Sequence, residues 1–220
     1  MILSGANAYT GVTTVSAGTL LVNSPGSLHA SSAVTVNGGT LGGTGTIGGA
    51  VTVAPAGNIA PGTSADTLSI GGDLDLSAMA NGGTGKLNFE LGPIDASDKI
   101  AVTGRLATGT GVLGFGDFVF TDLGGLQVTG GTPYKLITTT TGIIGSLDSG
   151  NLSGPLPGGL TGTLQINGND IKLLVASGTG TPEIAVEQPA WTDIANGGSR
   201  DFGNATIGGA LSSLRPFAKN

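Results

Sequence analysis

Apolar and polar positions alternate along this chain in short bursts, and each burst ends in a turn. The runs read TTVSAGTLLVN (13–23), AVTVNGGTL (33–41), AVTVAPAGNIA (50–60), TLSIGGDLDLS (67–77), KLNFEL (86–91) and KIAVTGRLAT (99–108). They continue as GVLGFGDFVF (111–120), YKLITTT (134–140), GTLQING (162–168) and DIKLLVA (170–176). Period-two alternation bounded by Gly, Asn and Asp predicts strands. Val34, Val51 and Leu68 occupy equivalent places about 17 residues apart, and Leu87 and Ile100 continue the series less regularly. A unit of this length with about two strands predicts a β-solenoid. One coil cannot bury its own apolar face, whereas stacked coils bury a continuous column and pair backbone to backbone at about 4.8 Å. Helical patterning is confined to one turn at Ser77–Asn81.

Composition sharpens this reading. Of 220 residues 43 are Gly, a load that a helical protein does not carry, since each interior Gly costs a helix roughly 0.5–1 kcal/mol. Hydrophobic residues make up 38% and charged residues only 10%, opposite to the balance of a disordered chain. Aromatics are 4%, so the core is built from Val, Leu, Ile and Ala, which suit a narrow interior. Gly and Asn at the corners are expected to take positive φ.

Charge and cysteine content narrow the function classes. The net charge is −6, and the basic residues Lys86, Lys99, Arg105, Lys135, Lys172, Arg200, Arg215 and Lys219 stand singly. Nucleic-acid binding calls for a basic stripe, so no nucleic-acid partner is expected. No run of 18 apolar residues occurs, so no membrane span is expected. The opening MILSGANAYTG lacks a charged n-region and a long apolar h-region, and is not read as a signal peptide. With no Cys, disulfides and Cys-based metal sites are excluded.

The stretches SGANAYTGVTTVSAGTLLVN (4–23) and AVTVNGGTLGGTGTIGGAVTVAPAGNIAPGTSADTLSIGGDLDL (33–76) resemble the autotransporter-associated β-strand repeat, also called the passenger-associated transport repeat. The likeness is carried by Gly5-Ala6-Asn7-x-Tyr9-Thr10-Gly11, Ala17-Gly18-Thr19-Leu20, Leu41-Gly42-Gly43-Thr44-Gly45-Thr46-Ile47 and Ala60-Pro61-Gly62, and extends over roughly 4–176. It implies an all-β chain, a right-handed parallel β-helix over 1–176, in a secreted or surface-exposed bacterial protein, with no catalytic residues. The C-terminal membrane barrel of a complete autotransporter is not found in the sequence. Residues 178–214 resemble the opening of a choice-of-anchor-D domain, an immunoglobulin-like sandwich, through Pro182-Glu183-Ile184-Ala185-Val186, Asn196-Gly197-Gly198, Asp201-Phe202-Gly203 and Ile207-Gly208. A sandwich needs about seven strands and about 100 residues, so the segment 177–220 reads as an extended β tail that cannot close one alone.

Candidate chemistry is thin. Gly43-x-Gly45-x-x-Gly48 matches a dinucleotide fingerprint, but GAVTVAPAG follows it, a strand and a turn instead of the required helix. Asp73 and Asp75 straddle Leu74 as a carboxylate pair, and Asp95 with Asp98 forms a loop pair; a solvated face and a turn or weak cation site are the readings preferred to catalysis. His29, the one histidine, lies in a loop without an acid–nucleophile pattern. Tyr9 and Tyr134 read as end-of-strand packing residues, and ITTTTG (137–142) as a polar strand. An ice-binding face would need Thr-x-Thr on successive coils. No cofactor or metal is expected.

The sequence therefore predicts a non-enzymatic structural module. Solenoid ends are rows of unpaired backbone groups, and no helical cap precedes the first repeat. Self-association is expected, head-to-tail or by strand donation from PEIAVEQ (182–188) or GNATIGGALSSL (203–214). The assembly residues would be Pro182, Glu183, Ile184, Ala185, Val186, Trp191, Phe202, Ile207, Leu211 and Leu214. The alternatives are a glycan- or surface-binding adhesin stalk and, more remotely, a polysaccharide-active β-helix enzyme.

Overall fold

The structure, a computed structural model, describes residues 1–130 and 132–178. It is a parallel β-solenoid whose coils each contribute one strand to three sheets. Sheet I contains β1 (Ile2–Leu3), β4 (Thr19–Val22), β7 (Thr40–Gly43), β10 (Asn58–Pro61), β13 (Leu87–Leu91) and β16 (Phe118–Asp122). Sheet II begins with β2 (Ala6–Asn7), β5 (Ser27–Leu28), β8 (Thr46–Ile47), β11 (Thr67–Ile70), β14 (Lys99–Val102) and β17 (Tyr134–Thr139). It ends with β21 (Asp170–Ser177), β20 (Leu160–Asn167) and β19 (Ser153–Leu156). Sheet III contains β3 (Thr13–Val15), β6 (Val34–Val36), β9 (Val51–Val53), β12 (Leu74–Asp75), β15 (Leu106–Leu113) and β18 (Ile143–Leu147). The predicted helical turn is present as α1 (Ser77–Ala80), which buries Met79 and Ala80.

Alternation within each strand sends every second residue inward, and register stacks like on like. Leu20, Leu41, Ile59, Leu87 and Phe118 form one column inside sheet I. Leu28, Ile47, Ile70 and Val102 form another inside sheet II. Val34, Val51, Leu74, Leu106 and Ile143 form a third inside sheet III. All but Ile143, which is half-buried, lie in the core. Each fully buried Leu, Ile or Val adds about 1.5–3 kcal/mol relative to exposure.

Two expectations change. The coil has three strands, not about two, because strands as short as β5 and β8 leave no run long enough to show alternation. The 17-residue spacing holds for one step, from Val34 to Val51; the partner of Val51 is Leu74. Leu68 lies on sheet II opposite Ile100, and Leu87 lies on sheet I. Coils lengthen along the stack, from 17 residues between Val34 and Val51 to 37 between Leu106 and Ile143. The corner from sheet I to sheet II grows with them, spanning 44–45, then 62–66, 92–98 and 123–133.

Among the described residues every positive φ belongs to Gly, so Asn does not take that role. Asn instead braces corners through its side chain. Asn7 Nδ2 donates to Gly5 O and Ser27 O, Asn58 Nδ2 to Ala56 O and Gly39 O, and Asn88 Nδ2 to Lys86 O and Ile59 O. Each amide thus joins the carbonyl two residues before it to a carbonyl of the neighbouring coil. The fingerprint glycines are explained by the same stacking. Gly43 has φ +107°, and a Cβ there would press on the Val22 carbonyl of the coil beneath. Gly45 and Gly48 are likewise closed in by backbone, and β9 follows them.

Candidate functional site

The features that bear most on function are the two ends of the stack, and they differ. At the first coil, β1, β2 and β3 stand at the outer place of their sheets. Each bonds only toward the second coil: Leu21 N donates to Met1 O at 2.9 Å, Asn23 N to Leu3 O at 2.9 Å and Ser27 N to Gly5 O at 3.1 Å. The Met1 ammonium donates to Thr19 O at 2.7 Å. Apolar side chains remain uncovered here, with Ile2 63% and Val12 67% exposed, beside exposed Met1 and Tyr9. Tyr9 is held by its hydroxyl, 2.9 Å from Thr13 Oγ1, which lies 3.3 Å from buried Ser32 Oγ. Tyr9 is thus a surface residue and not a packed one.

At the opposite end the chain reverses. The runs at 162–168 and 170–176 do form strands, but as a hairpin and not as coils: β21 is antiparallel to β17, β20 to β21, and β19 to β20. This meander brings Leu156, Leu164, Leu173 and Val175 into the core with Phe115. Gly154 and Gly162 lie against the faces of the Phe115 ring, where no side chain fits. Tyr134, fully buried, donates its hydroxyl to Gly92 O at 3.0 Å and accepts from Gln127 N at 2.8 Å. Thr129 N donates to Val175 O, and Val175 N returns a bond to Thr129 Oγ1. The outermost strand, β19, is four residues long and contains Pro155. A short edge strand with Pro is poor at adding further strands.

A two-residue loop, Gly168-Asn169, joins β20 to β21, and Gly168 has φ +64°. This hairpin escaped the reading of the chain, although ING-ND between two alternating runs is the signal for it.

The candidate catalytic groups are occupied with structure. Asp73 Oδ1 accepts from Arg105 N at 2.7 Å. Asp75 Oδ1 accepts from Ser77 N at 2.9 Å and Ser77 Oγ at 2.6 Å, bracing the entry to α1. His29 is exposed, and its Nδ1 accepts from Ser31 N. The pair Asp95–Asp98 is split: Asp95 is exposed, whereas Asp98 is 1% exposed. Asp98 Oδ1 accepts from Asp66 N at 3.1 Å and Oδ2 from Glu90 N at 2.8 Å. Burial pushes its carboxyl up to about 6, with Glu90 and Asp66 adding repulsion against the two amide bonds that favour the ionised form. Burial also raises Asp117, whose Oδ2 accepts from Gly114 N. Among the described residues no group of three or more His, Cys, Asp or Glu is placed to hold a metal ion.

Thr14, Thr35 and Thr52 do line up on the outside of sheet III. The column is one threonine wide and passes to Asp75 and Ala107, so it lacks the paired Thr-x-Thr rows of an ice-binding face. The tail residues proposed for assembly, Pro182, Glu183, Ile184, Ala185, Val186, Trp191, Phe202, Ile207, Leu211 and Leu214, lie outside the described residues. No helix among the described residues is long and apolar enough to cross a membrane.

Residues 1–22 match the model of the passenger-associated-transport-repeat family. The match falls on the first coil and the start of the second, where the chain's likeness to that repeat is carried by Gly5-Ala6-Asn7 and Ala17-Gly18-Thr19-Leu20. This is a structural repeat of autotransporter passengers, not an enzymatic one. No curated protein matches the chain. The likeness of residues 178–214 to a choice-of-anchor-D domain rests on the sequence alone.

Proposed function

We propose that the chain is a structural module of a secreted or cell-surface protein, of the passenger type, and that its first coil accepts a strand from another subunit. The observation that carries this reading is the inequality of the two ends. The first coil offers three edge strands and uncovered Ile2 and Val12, whereas the far end is folded over by an antiparallel meander with Pro155 at its edge. Coil-on-coil stacking needs both ends open. Strand addition needs only one, and main-chain pairing supplies its affinity. The donors are PEIAVEQ (182–188) and GNATIGGALSSL (203–214), whose alternation suits an added strand. A contact that joins the tail of one copy to the first coil of the next does not close on itself and builds filaments.

Glycan binding has less behind it. Of the aromatic side chains among the described residues only Tyr9 is exposed, and carbohydrate platforms are built on exposed rings.

Negative-stain electron microscopy with light scattering tests the reading on residues 1–220 and on a variant ending at 178. Filaments from the full chain that vanish in the shortened variant are the expected result. Filaments from both would remove the tail as donor, and monodisperse monomers from the full chain would remove strand addition altogether.

A further inference from the structure

Asp98 sits where the corners of two successive coils meet. Its carboxylate is the shared acceptor for two amides, Asp66 N on corner 62–66 and Glu90 N on β13. Its own amide donates to Glu90 O at 2.8 Å, and Lys99 N donates to Asp66 O at 2.9 Å, so corner 92–98 is stitched to both. Gly62, with φ +79°, lets the backbone pass against the carboxylate; a Cβ there would collide with it. The neighbouring depression, about 200 Å³, is lined by Pro61, Thr63, Asn88, Phe89, Glu90 and Thr121.

The charges around this carboxylate are of the wrong sign for it. Glu90 on β13 and Asp66 on corner 62–66 both repel it. On its own corner lies Asp95, and Lys99 follows it at the start of β14. From β16 come neutral Thr121 and Asp122, whose Oδ1 is taken by Gly124 N and Leu126 N. Burial with like charges disfavours the ionised form while the corner is closed. Opening admits water and removes both penalties.

We propose that corners 62–66 and 92–98, joined through Asp98, form a pH-sensitive clasp that is tight in acid and opens more readily as the carboxyl ionises. The linkage is required by the geometry, since a group that releases its proton more easily in the open form pulls the equilibrium toward that form as pH rises. The device belongs to the described fold and is independent of strand addition at the first coil.

Amide hydrogen exchange of the full chain at pH 5 and pH 7.5, corrected for intrinsic rates, tests this. With the closed-form carboxyl at about 6 and the open form at its ordinary 3.8, opening at Asp66 and Glu90 is expected to rise roughly tenfold between the two pH values. The amide of Val36, remote from the clasp, should show no such rise. Asp98→Asn should abolish the pH dependence. Should that variant fail to fold, Glu90→Gln serves: it keeps the amide donor, removes one repelling charge and should lower the midpoint of the Asp98 Cγ titration. Equal opening of the wild type at both pH values, an unmoved midpoint in Glu90→Gln, or an Asp98 midpoint near 4 would each overturn the clasp.

Discussion

Asn58 holds three partners at once: Nδ2 donates to Gly39 O and Ala56 O, and Oδ1 accepts from Lys86 N at 2.9 Å. Replacing it by Ala strands a partly buried amide at the junction of two coils. Asn58→Ala is expected to cost about 1–3 kcal/mol, read as a lower urea midpoint with an unchanged slope. Asp98 acts through protons. Its folded carboxyl is raised to about 6 from 3.8, so the native chain binds the proton more tightly than the unfolded one. Stability therefore grows as pH falls through about 6, is complete by about 4, and is lost again as pH rises through about 6. Asp117, raised by burial, acts in the same direction. Thermal melting should thus show a higher midpoint at pH 5 than at pH 7.5, with a smaller difference in Asp98→Asn. At this scale the chain was partly legible. Gly43, Gly45 and Gly48 stood out, and the strand after them argued against phosphate binding. The crowding that requires Gly there was not visible, because it comes from Val22 and Gly26 of the preceding coil. Asp98 resembled Asp95 in sequence; only the fold separates a buried acceptor from a surface acid.

Strands were the most legible elements, since TVSAG, VTVN and LNFEL alternate whatever they pair with. Pairing was less so. In a parallel coil, register is set by corner length, and the lengthening of the corner from 44–45 to 62–66 moves Leu68 off the column of Val34 and Val51. The terminal meander shows a second gap: β20 and β21 have the same alternation as coil strands, and only the tight Gly168-Asn169 loop marks them as a hairpin. Within that meander, the pairing of Leu164 N with Leu152 O places the main-chain nitrogen of Pro155 on the outer side of β19. Pro155→Val would restore an outward N–H to that edge. Sedimentation velocity is expected to show concentration-dependent association in the variant beyond that of the wild type. Tyr134→Phe belongs to this scale too, because its hydroxyl ties corners 92–98 and 123–133 together. Its loss should cost about 1–3 kcal/mol by urea denaturation.

At the scale of the whole described stack, fold class was legible and the ends were not. Gly content, short apolar runs and the absence of helical periodicity point to a solenoid before any pairing is known. Whether an end is open or folded over depends on a reversal of chain direction that composition does not reveal. The inter-coil bonds, from Thr13 N to Ala33 O at one end to Thr140 N to Val102 O at the other, all run from layer to layer. A pull along the stacking direction therefore loads one layer's bonds at a time, and those layers part in sequence like a zip. A sideways push meets every sheet in shear. Each coil of 17 to 37 residues would release roughly 60–130 Å of chain as it detaches. Held between two attachment points, such a stack would yield in many small steps under tension, lengthening without a single catastrophic break.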